Sequence, residues 1–443
     1  MVDLKKLDRL LQLNIGISQA ANREMMDIFN NVTPIRVRRY PAGREYNGWV
    51  VPHDWVVKKA HIRKKGKILF DGTVHPMAVA GYSSSFHGTV SKKELDKHLF
   101  TKKEFPAAYP FHSIYNYRPW GKHWGFCVPY NVCKKWPAGD YEIDLETEFK
   151  EGEMLAGECR HPGELKDTVV FNAHTCHPCQ ANDDMAGALV VLELFKWLAT
   201  QKTRYSYLGV LAPEHVGTVF YLSDFSDKEV AELKLGCFVE MPGTKTPLVL
   251  QKSFEGNTIM DRVAKYVLGQ EQPRLRVGEF RTVVGNDETV WEAPGIEVPM
   301  VSISRWPYRQ YHTSDDNVKI MDPERLEQFL ECLKRIVRVF EDDRTIERRF
   351  RGLVSLANPK YNLYIERPDP VVDKGLSPMD LRFGRMQDPL PRYFDGKHTV
   401  FEISEKFDVP FEKLSAYLRE FERKGLIKLQ PPPSLDHYKP AGA

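Results

Sequence analysis

From Tyr141 onwards the sequence alternates apolar runs with segments of helical periodicity, and this alternation constrains the fold more than any other feature. The runs 169–173 and 207–212 predict strands, and the amphipathic segments 186–199 and 323–340 predict helices. A chain that repeats strand and helix in this way forms a mostly parallel sheet with helices on both faces. We therefore predict an α/β fold built on a mostly parallel sheet.

A chain of 443 residues is too long for one ordinary domain. Aromatic residues, Gly and Pro are dense between residues 41 and 136, where short strands alternate with turns and helical periodicity is nearly absent. We predict that 41–136 is a β-rich inserted domain and that 1–40 and 137–350 form the α/β domain. Residues 351–375 are expected to be a linker, followed by a separate domain at 376–443.

The last segment has the pattern helix, turn, helix, Gly, strand, which is typical of a winged helix. Pro410 opens the second helix, whose apolar residues keep to one face, and Gly425 ends it. The same helix mixes acidic and basic residues instead of presenting a basic stripe, so we expect no nucleic-acid binding. We favour a structural or oligomerisation role for this segment. The protein could therefore form a homo-oligomer.

The composition and the N-terminal sequence indicate the cellular compartment that we expect for this protein. The formal net charge is +3, and the N-terminus mixes both signs of charge without an apolar signal core. No run approaches eighteen apolar residues, so we expect no membrane span. Seven scattered cysteines are most simply interpreted as reduced thiols. We predict a cytoplasmic protein.

The stretch from Asn172 to Gly187 carries the strongest chemical signal. A predicted strand ends in His174 and His177, and the paired carboxylates Asp183 and Asp184 stand just before the predicted helix. Ligands bind outside the carboxyl ends of strands in open α/β sheets. Imidazole and carboxylate together are ligands that zinc prefers. The sequence therefore predicts a metal site here.

Further candidate ligands follow other predicted strands of the same sheet. Glu214 and His215 come after the strand 207–212, Glu240 stands at the end of the next one, and His312 follows a later strand. A single carboxylate at a strand end is weak evidence for a metal site. His, Asp or Glu at four strand ends of one domain indicates that these side chains converge on a common site. Packing residues in an inactive fold are the alternative.

In this order the residues resemble the co-catalytic zinc aminopeptidases, with the match covering roughly residues 140–340. The resemblance implies that Asp183 bridges two metals, that His174 and Glu240 complete one site, and that His215 and His312 complete the other. It implies one or two zinc ions per chain and Glu214 as the general base. Asp184 would orient a ligand. The whole chain is similar to a poorly characterised bacterial family that joins such a domain to an inserted β-rich module and a C-terminal winged helix.

Three positions depart from the pattern of that family. Cys176 stands where the family has Asp, His215 stands where it has a second Glu, and His177 is a candidate ligand that the pattern lacks. His215 is expected to bind metal, with a substrate contact as the alternative, whereas His177 and Cys176 are expected beside the ligands or near the substrate. Near His312, Arg305 and Tyr311, with Tyr308, either stabilise an anionic intermediate or only rim the pocket.

These residues predict a zinc-dependent hydrolase of amide bonds, aminopeptidase-like, that acts on a small peptide or amide. Loss of one ligand carboxylate keeps a second function open, namely a specialised amide hydrolase or deacylase on a modified sugar or biosynthetic intermediate. A third is a catalytically inactive, ligand-sensing regulator that acts through the winged helix.

Overall fold

The computed structural model describes residues 2–112, 117–366, 377–431 and 433–438. The chain forms two compact units, Met1–Leu333 and Lys334–Ala443. Among the described residues, no helix has both the length and the apolar character needed to cross a membrane.

The strands of the described residues are, in chain order, β1 (Arg36–Pro41), β2 (Glu45–Tyr46), β3 (Trp49–Val50), β4 (Asp54–Lys64), β5 (Lys67–Asp71), β6 (Phe86–Ser91), β7 (Leu99–Phe100), β8 (Phe126–Cys127), β9 (Asp140–Lys150), β10 (Glu153–His161), β11 (Thr168–His174), β12 (Ser206–Ala212), β13 (Leu233–Val239), β14 (Val249–Gln251), β15 (Arg276–Gly278), β16 (Met300–Ser304), β17 (Thr345–Arg348), β18 (Asp395–Thr399) and β19 (Ile427–Leu429). The α-helices are α1 (Leu4–Leu11), α2 (Asn22–Asn30), α3 (Lys92–Leu95), α4 (Tyr130–Cys133), α5 (Ala186–Leu198), α6 (Val216–Ser223), α7 (Asp227–Glu232), α8 (Ile259–Glu271), α9 (Glu288–Trp291), α10 (Pro323–Asp342), α11 (Pro378–Met386), α12 (Val400–Phe407) and α13 (Phe411–Arg423).

An eight-stranded sheet forms the centre of the first unit, in the order β1-β10-β12-β11-β13-β16-β14-β15. The neighbours β12, β11, β13 and β16 are parallel, as are β14 and β15. The pairs β1–β10, β10–β12 and β14–β16 are antiparallel. Every residue of β11 is buried, as expected for a strand with both faces covered. The predicted α/β fold with a large central sheet is confirmed, and its parallel part lies in the middle.

A smaller, four-stranded antiparallel sheet has the order β5-β4-β9-β6. Strand β9 lies within the range 137–350 predicted for the α/β domain, but it pairs with β4 and β6. The predicted boundary at residue 136 therefore falls before a strand of the small sheet. The physical signal was present: residues at the start of β9 alternate between exposed and buried, which is typical of a sheet with one covered face. The next strand, β10, is buried almost throughout.

The second unit contains a three-stranded sheet in the order β18-β17-β19 and the helices α11, α12 and α13. Strand β17 lies before residue 350 and so within the range predicted for the α/β domain, but it pairs with β18 and β19. The predicted succession of helix, helix and strand corresponds to α12, α13 and β19. Asp408 ends α12 in a left-handed conformation with φ 51°. Much of the predicted linker, from residue 367 to its end, lies outside the described residues.

Candidate metal centre

Four neighbouring strands of the large sheet end at the same edge, and a side chain that can bind metal belongs to or follows each of them. Strand β11 ends at His174, Glu214 follows β12 by two residues, and Glu240 follows β13 directly. His312 lies in the loop after β16. Because these strands are parallel neighbours, their carboxyl ends lie side by side.

The buried carboxylate of Asp183 lies at the centre of this edge. Its Oδ1 is 2.9 Å from Nε2 of His174, and its Oδ2 is 3.2 Å from Nε2 of His312. The same Oδ2 is 3.4 Å from Nδ1 of His177. Burial raises the pKa of Asp183, but the charge of His177, the hydrogen bond with His174 and the nearby imidazole of His312 outweigh it and hold this pKa well below its usual value. Asp183 is therefore an ionised carboxylate among imidazoles.

Within the described residues, three groups of side chains bring their possible ligand atoms within 4.8 Å of one another. The groups are His174, Asp183 and Glu240; His177, Asp183 and His312; and His174, Cys176 and His177. Asp183 belongs to the first two groups and so lies between them. The structure thus brings together four of the five predicted ligands, and it adds His177.

The donor atoms of these groups fit a bound zinc ion. Among the described residues, six buried atoms of these ligand side chains have no hydrogen-bond partner, namely Nδ1 of His174, both ring nitrogens of His177, Oδ2 of Asp183, Oε2 of Glu240 and Nε2 of His312. Buried polar atoms are costly in free energy unless something pairs with them. Imidazole nitrogen and carboxylate oxygen are common zinc ligands in proteins. Bound metal would pair with the one ligand atom that each of these side chains offers.

Asp316, which the sequence analysis did not single out, fixes the loop that carries Asp183. Its carboxylate accepts hydrogen bonds from the backbone N–H groups of Asn182 at 2.8 Å and Asp183 at 3.2 Å. The hydroxyl of Tyr308 donates to the same carboxylate at 2.6 Å. Asp316 is the second member of an acidic pair close to His312 in the sequence, so a signal existed. The hydroxyl of Tyr308 thus holds this loop in place.

The buried side chains of Asn286 and Asp184 make hydrogen bonds that fix the position of the candidate ligands. Nδ2 of Asn286 donates to Oε1 of Glu240 at 2.8 Å. Oδ1 of Asp184 accepts from the backbone N–H groups of Met241 at 3.0 Å and Gly187 at 3.2 Å. A Cβ atom at position 187 would lie 2.2 Å from Oδ1 of Asp184, so the close approach requires glycine. Asp184 therefore ties the loop after β11 to the end of β13 through backbone contacts.

The carboxylate of Glu214 lies beside the metal-binding groups, where it contacts Tyr117, His177 and His215. The hydroxyl of Tyr117 donates to its Oε2 at 2.7 Å, and Nε2 of His177 is 3.3 Å from the same oxygen. The backbone N–H of Glu214 donates to Sγ of Cys176 at 3.3 Å. Burial raises the pKa of Glu214, but the nearby imidazoles of His177 and His215 hold this pKa well below its usual value. Sequence reasoning missed Tyr117 because it lies far from the strands that carry the other groups.

Cys176 lies between the imidazoles of His174 and His177 and is almost fully buried. Burial raises the pKa of its thiol, but the charges of His177 and His174 and their hydrogen bonds lower it to about 7. The thiol thus contacts both histidines, at the position where the resembled family has an aspartate.

The metal-binding role predicted for His215 stays a prediction. Within the described residues, none of the three metal-binding groups includes it. Its backbone N–H donates to Oδ1 of Asp287 at 2.5 Å, and its ring stacks on Trp49 with centroids 6.2 Å apart. With a positive φ of 54°, the backbone turns directly into α6, and Nδ1 of the ring lies 3.5 Å from Oε1 of Glu214. The second group contains His177 in its place.

Arg305 and Tyr311, which were predicted to lie beside the ligands or near the substrate, each have clear neighbours in the structure. Arg305 is 2% exposed, and its guanidinium donates to the carbonyl oxygens of Pro242 at 2.9 Å and Thr246 at 2.8 Å. It also donates to Oε1 of Gln328 at 2.6 Å, so it is neither an anion-binding group nor part of a pocket rim. The ring of Tyr311 stacks on His312 with centroids 3.8 Å apart and so supports a candidate ligand.

Arg305→Leu is expected to lower the free energy of unfolding by about 3 kcal/mol, because three buried acceptors lose their donors. Urea unfolding measures this loss. Arg309→Leu, at an exposed neighbouring arginine, serves as the control and should change the free energy by less than about 1 kcal/mol. A stable Arg305→Leu protein with a greatly raised KM would contradict the structural role.

Comparison with known proteins places this site in a known fold. Residues 5–343 match the family described as a domain of unknown function, DUF4910. A Clostridium acetobutylicum protein, provisionally described as a polysaccharide biosynthesis protein with an aminopeptidase-like domain, is 27% identical over 342 residues, which cover 76% of this chain and 77% of that protein.

Solved structures show the same architecture at lower identity. A crystal structure from Clostridium acetobutylicum, provisionally titled a peptidase, has a TM-score of 0.79 at 24% identity and covers 96% of each chain. A zinc aminopeptidase from Bacillus subtilis has a TM-score of 0.56 at 13% identity, over 76% of this chain and 95% of its own. The aminopeptidase from Aneurinibacillus sp. strain AM-1 gives 0.51 at 12% identity, over 76% and 94%. The large sheet and its helices therefore have the fold of zinc aminopeptidases.

Proposed function

We propose that this protein is an aminopeptidase-like, zinc-dependent hydrolase that cleaves amide bonds in small peptides or amides. The chain belongs to the DUF4910 family, which is described as a domain of unknown function. The observation that carries the proposal is the convergence on Asp183 of buried ligand atoms without hydrogen-bond partners. The fold shared with zinc aminopeptidases supports it.

We assign the ligands from the groups that lie within reach of one another. His174, Asp183 and Glu240 would hold one ion, and His177, Asp183 and His312 would hold a second. This assignment replaces His215 by His177. It supplies two carboxylates and three imidazoles, a donor set that suits zinc.

Glu214 is the group that we propose as the general base. Bound zinc would lower the pKa of a water molecule and polarise the scissile carbonyl. Glu214 belongs to none of the metal-binding groups, and its ionised carboxylate is available to take a proton. The hydroxyl of Tyr117 donates to Oε2 of Glu214 and so positions the base. Asn286 donates to Glu240 and so positions this candidate ligand.

His177→Ala is expected to lower the zinc content by about one ion per chain, because the second group loses one of its three ligands. His215→Ala, the matched control, should leave the zinc content unchanged since that ring faces Trp49. Elemental analysis of the purified variants measures both. Loss of zinc in His215→Ala, with an unchanged zinc content in His177→Ala, would show that His215 is the ligand instead of His177.

Turnover of aminoacyl amides by the zinc-loaded protein tests the proposed activity. We expect release of free amine from at least one member of a panel that varies the side chain, and loss of this release after treatment with a chelator. Bound zinc without turnover of any aminoacyl amide would reject the aminopeptidase-like activity.

A specialised amide hydrolase or deacylase acting on a modified sugar is the second candidate function. The name of the Clostridium acetobutylicum relative, which mentions polysaccharide biosynthesis, favours it. Hydrolysis of N-acylated sugars in place of aminoacyl amides would select this function.

We also propose a domain organisation. The inserted β-rich domain would extend to Lys150, because β9 completes the small sheet. The second unit would contain a winged helix built from α12, α13 and the strands β17, β18 and β19. Helix α13 mixes charges, as in Glu412, Lys413, Glu420 and Arg423, which supports a structural role without nucleic-acid binding.

A further inference from the structure

The second unit contains a cavity of about 700 Å³. Its lining comes from β17 and the loop after it, from the segment between α11 and β18, and from α13. Every one of the lining residues belongs to the unit Lys334–Ala443. Because the volume lies within the range of small-molecule sites in proteins, the cavity is large enough to take an organic ligand.

The cavity has an apolar wall that is partly exposed. Among the large apolar side chains of the second unit that the structure describes, two are exposed, Leu353 at 100% and Tyr364 at 48%, and both line this cavity. The lining residues Phe350 and Phe421 each meet the buried ring of Phe394 edge-on, with centroids 6.5 Å and 5.8 Å apart. An exposed apolar surface that is anchored to the core in this way is typical of a binding site.

Two guanidinium groups, of Arg348 and Arg392, also line the cavity. Both side chains are exposed, and neither forms an ion pair within the part of the chain that the structure describes. Their neighbour Arg349, which is not a lining residue, has Glu347 at 3.5 Å. One carboxylate, of Asp388, is the acidic member of the lining, so the lining residues carry a net positive charge.

We propose that this cavity is a binding site for a small organic anion, with a carboxylate or phosphate group on an aromatic or branched aliphatic body. Guanidinium groups form paired, charge-assisted hydrogen bonds with such anions, and the apolar wall would remove the body of the ligand from water. A neutral apolar ligand would leave Arg348 and Arg392 without a counter-charge, whereas an inorganic anion would leave Leu353 exposed. Since the site lies in the second unit, the proposal does not depend on the proposed function.

Calorimetric titration of the full chain with 2-naphthylacetate and its neutral amide, 2-naphthylacetamide, tests the site. The protein is first treated with a chelator and dialysed, so that bound zinc does not capture the carboxylate. We expect the carboxylate to bind at least about 10-fold more tightly than the amide, because only it makes charge-assisted hydrogen bonds. Acetate, which lacks the ring, should bind at least about 10-fold more weakly than 2-naphthylacetate. Equal affinities for the carboxylate and the amide would overturn the proposal.

Substitution of the arginines locates the binding. Arg348→Gln and Arg392→Gln should each weaken binding of 2-naphthylacetate at least about 5-fold, because each removes one donor of charge-assisted hydrogen bonds. Arg349→Gln is the matched control on the same strand, and it should leave the affinity unchanged since Arg349 does not line the cavity. Unchanged affinity in both lining variants would show that the anion binds elsewhere.

A variant that fills the cavity tests the site without removing a charge. Ala357→Trp puts a large ring at a lining position and should weaken binding of 2-naphthylacetate at least about 10-fold. Ala416→Trp, at an exposed position of α13 outside the lining, is the control. Full binding by Ala357→Trp would contradict the proposal. A DNA duplex that requires Arg348 and Arg392, bound by a protein that does not bind 2-naphthylacetate, would replace the site by a nucleic-acid contact.

Discussion

Glu214→Gln is expected to lower kcat by at least about 100-fold while the protein keeps its zinc. The amide is nearly isosteric with the carboxylate, but it cannot accept the proton of the attacking water, and general base catalysis contributes about 10² to 10⁴ in rate. Because Glu214 belongs to none of the metal-binding groups, its loss should not reduce metal content. Steady-state kinetics and elemental analysis of the same preparation measure both effects.

The matched control for this substitution is Glu255→Gln, at an exposed loop position, which should leave kcat unchanged. Activity of Glu214→Gln within a few fold of the unsubstituted protein would exclude Glu214 as the base. Loss of zinc together with activity would show that the carboxylate acts as a ligand instead.

Asp183→Asn is expected to remove most of the bound zinc, because Asp183 is shared by the two groups that would hold the ions. In the unsubstituted protein, free zinc at 100 times its Kd would stabilise the folded state by about 2.7 kcal/mol and raise Tm by about 4 °C for a unit of this size. The variant should show almost no rise on addition of zinc. Calorimetric scans with and without zinc, alongside elemental analysis, measure the difference.

Asp27→Asn, at an exposed position of α2, is the control and should respond to zinc as the unsubstituted protein does. A full zinc complement in Asp183→Asn, with the normal rise in Tm, would contradict the central position of Asp183. Loss of the rise in both variants would point to a general destabilisation instead.

The periodicity of the sequence was a reliable guide to local elements because burial leaves a pattern in the chain. The strands at 169–173 and 207–212 and the helix that begins at residue 186 lie within one or two residues of β11, β12 and α5. Strand β9 lies within the range predicted for the α/β domain but pairs in the small sheet, and its alternating burial distinguishes it from the fully buried strands. Pairing between strands depends on contacts far apart in sequence, which a local pattern does not contain.

Which histidine faces the metal groups could not be deduced from the chain. His177 and His215 both follow strands of the same sheet, and the resemblance favoured His215. The backbone N–H of His215 donates to Asp287, which lies far along the chain, and His215 belongs to none of the three metal-binding groups among the described residues. Tyr117 and Asn286 reach Glu214 and Glu240 in the same long-range way.

The sequence by itself determined the α/β alternation and the places where polar groups interrupt apolar strands, because both follow from which residues are buried next to one another along the chain. His174, Asp183, Glu240 and His312 were predicted on that basis, and the structure brings them together. The tertiary structure alone decided the orientation of each side chain and the partners that hold it. Orientation depends on distant backbone and hydrogen-bond contacts, which arise only when the sheets and loops have packed.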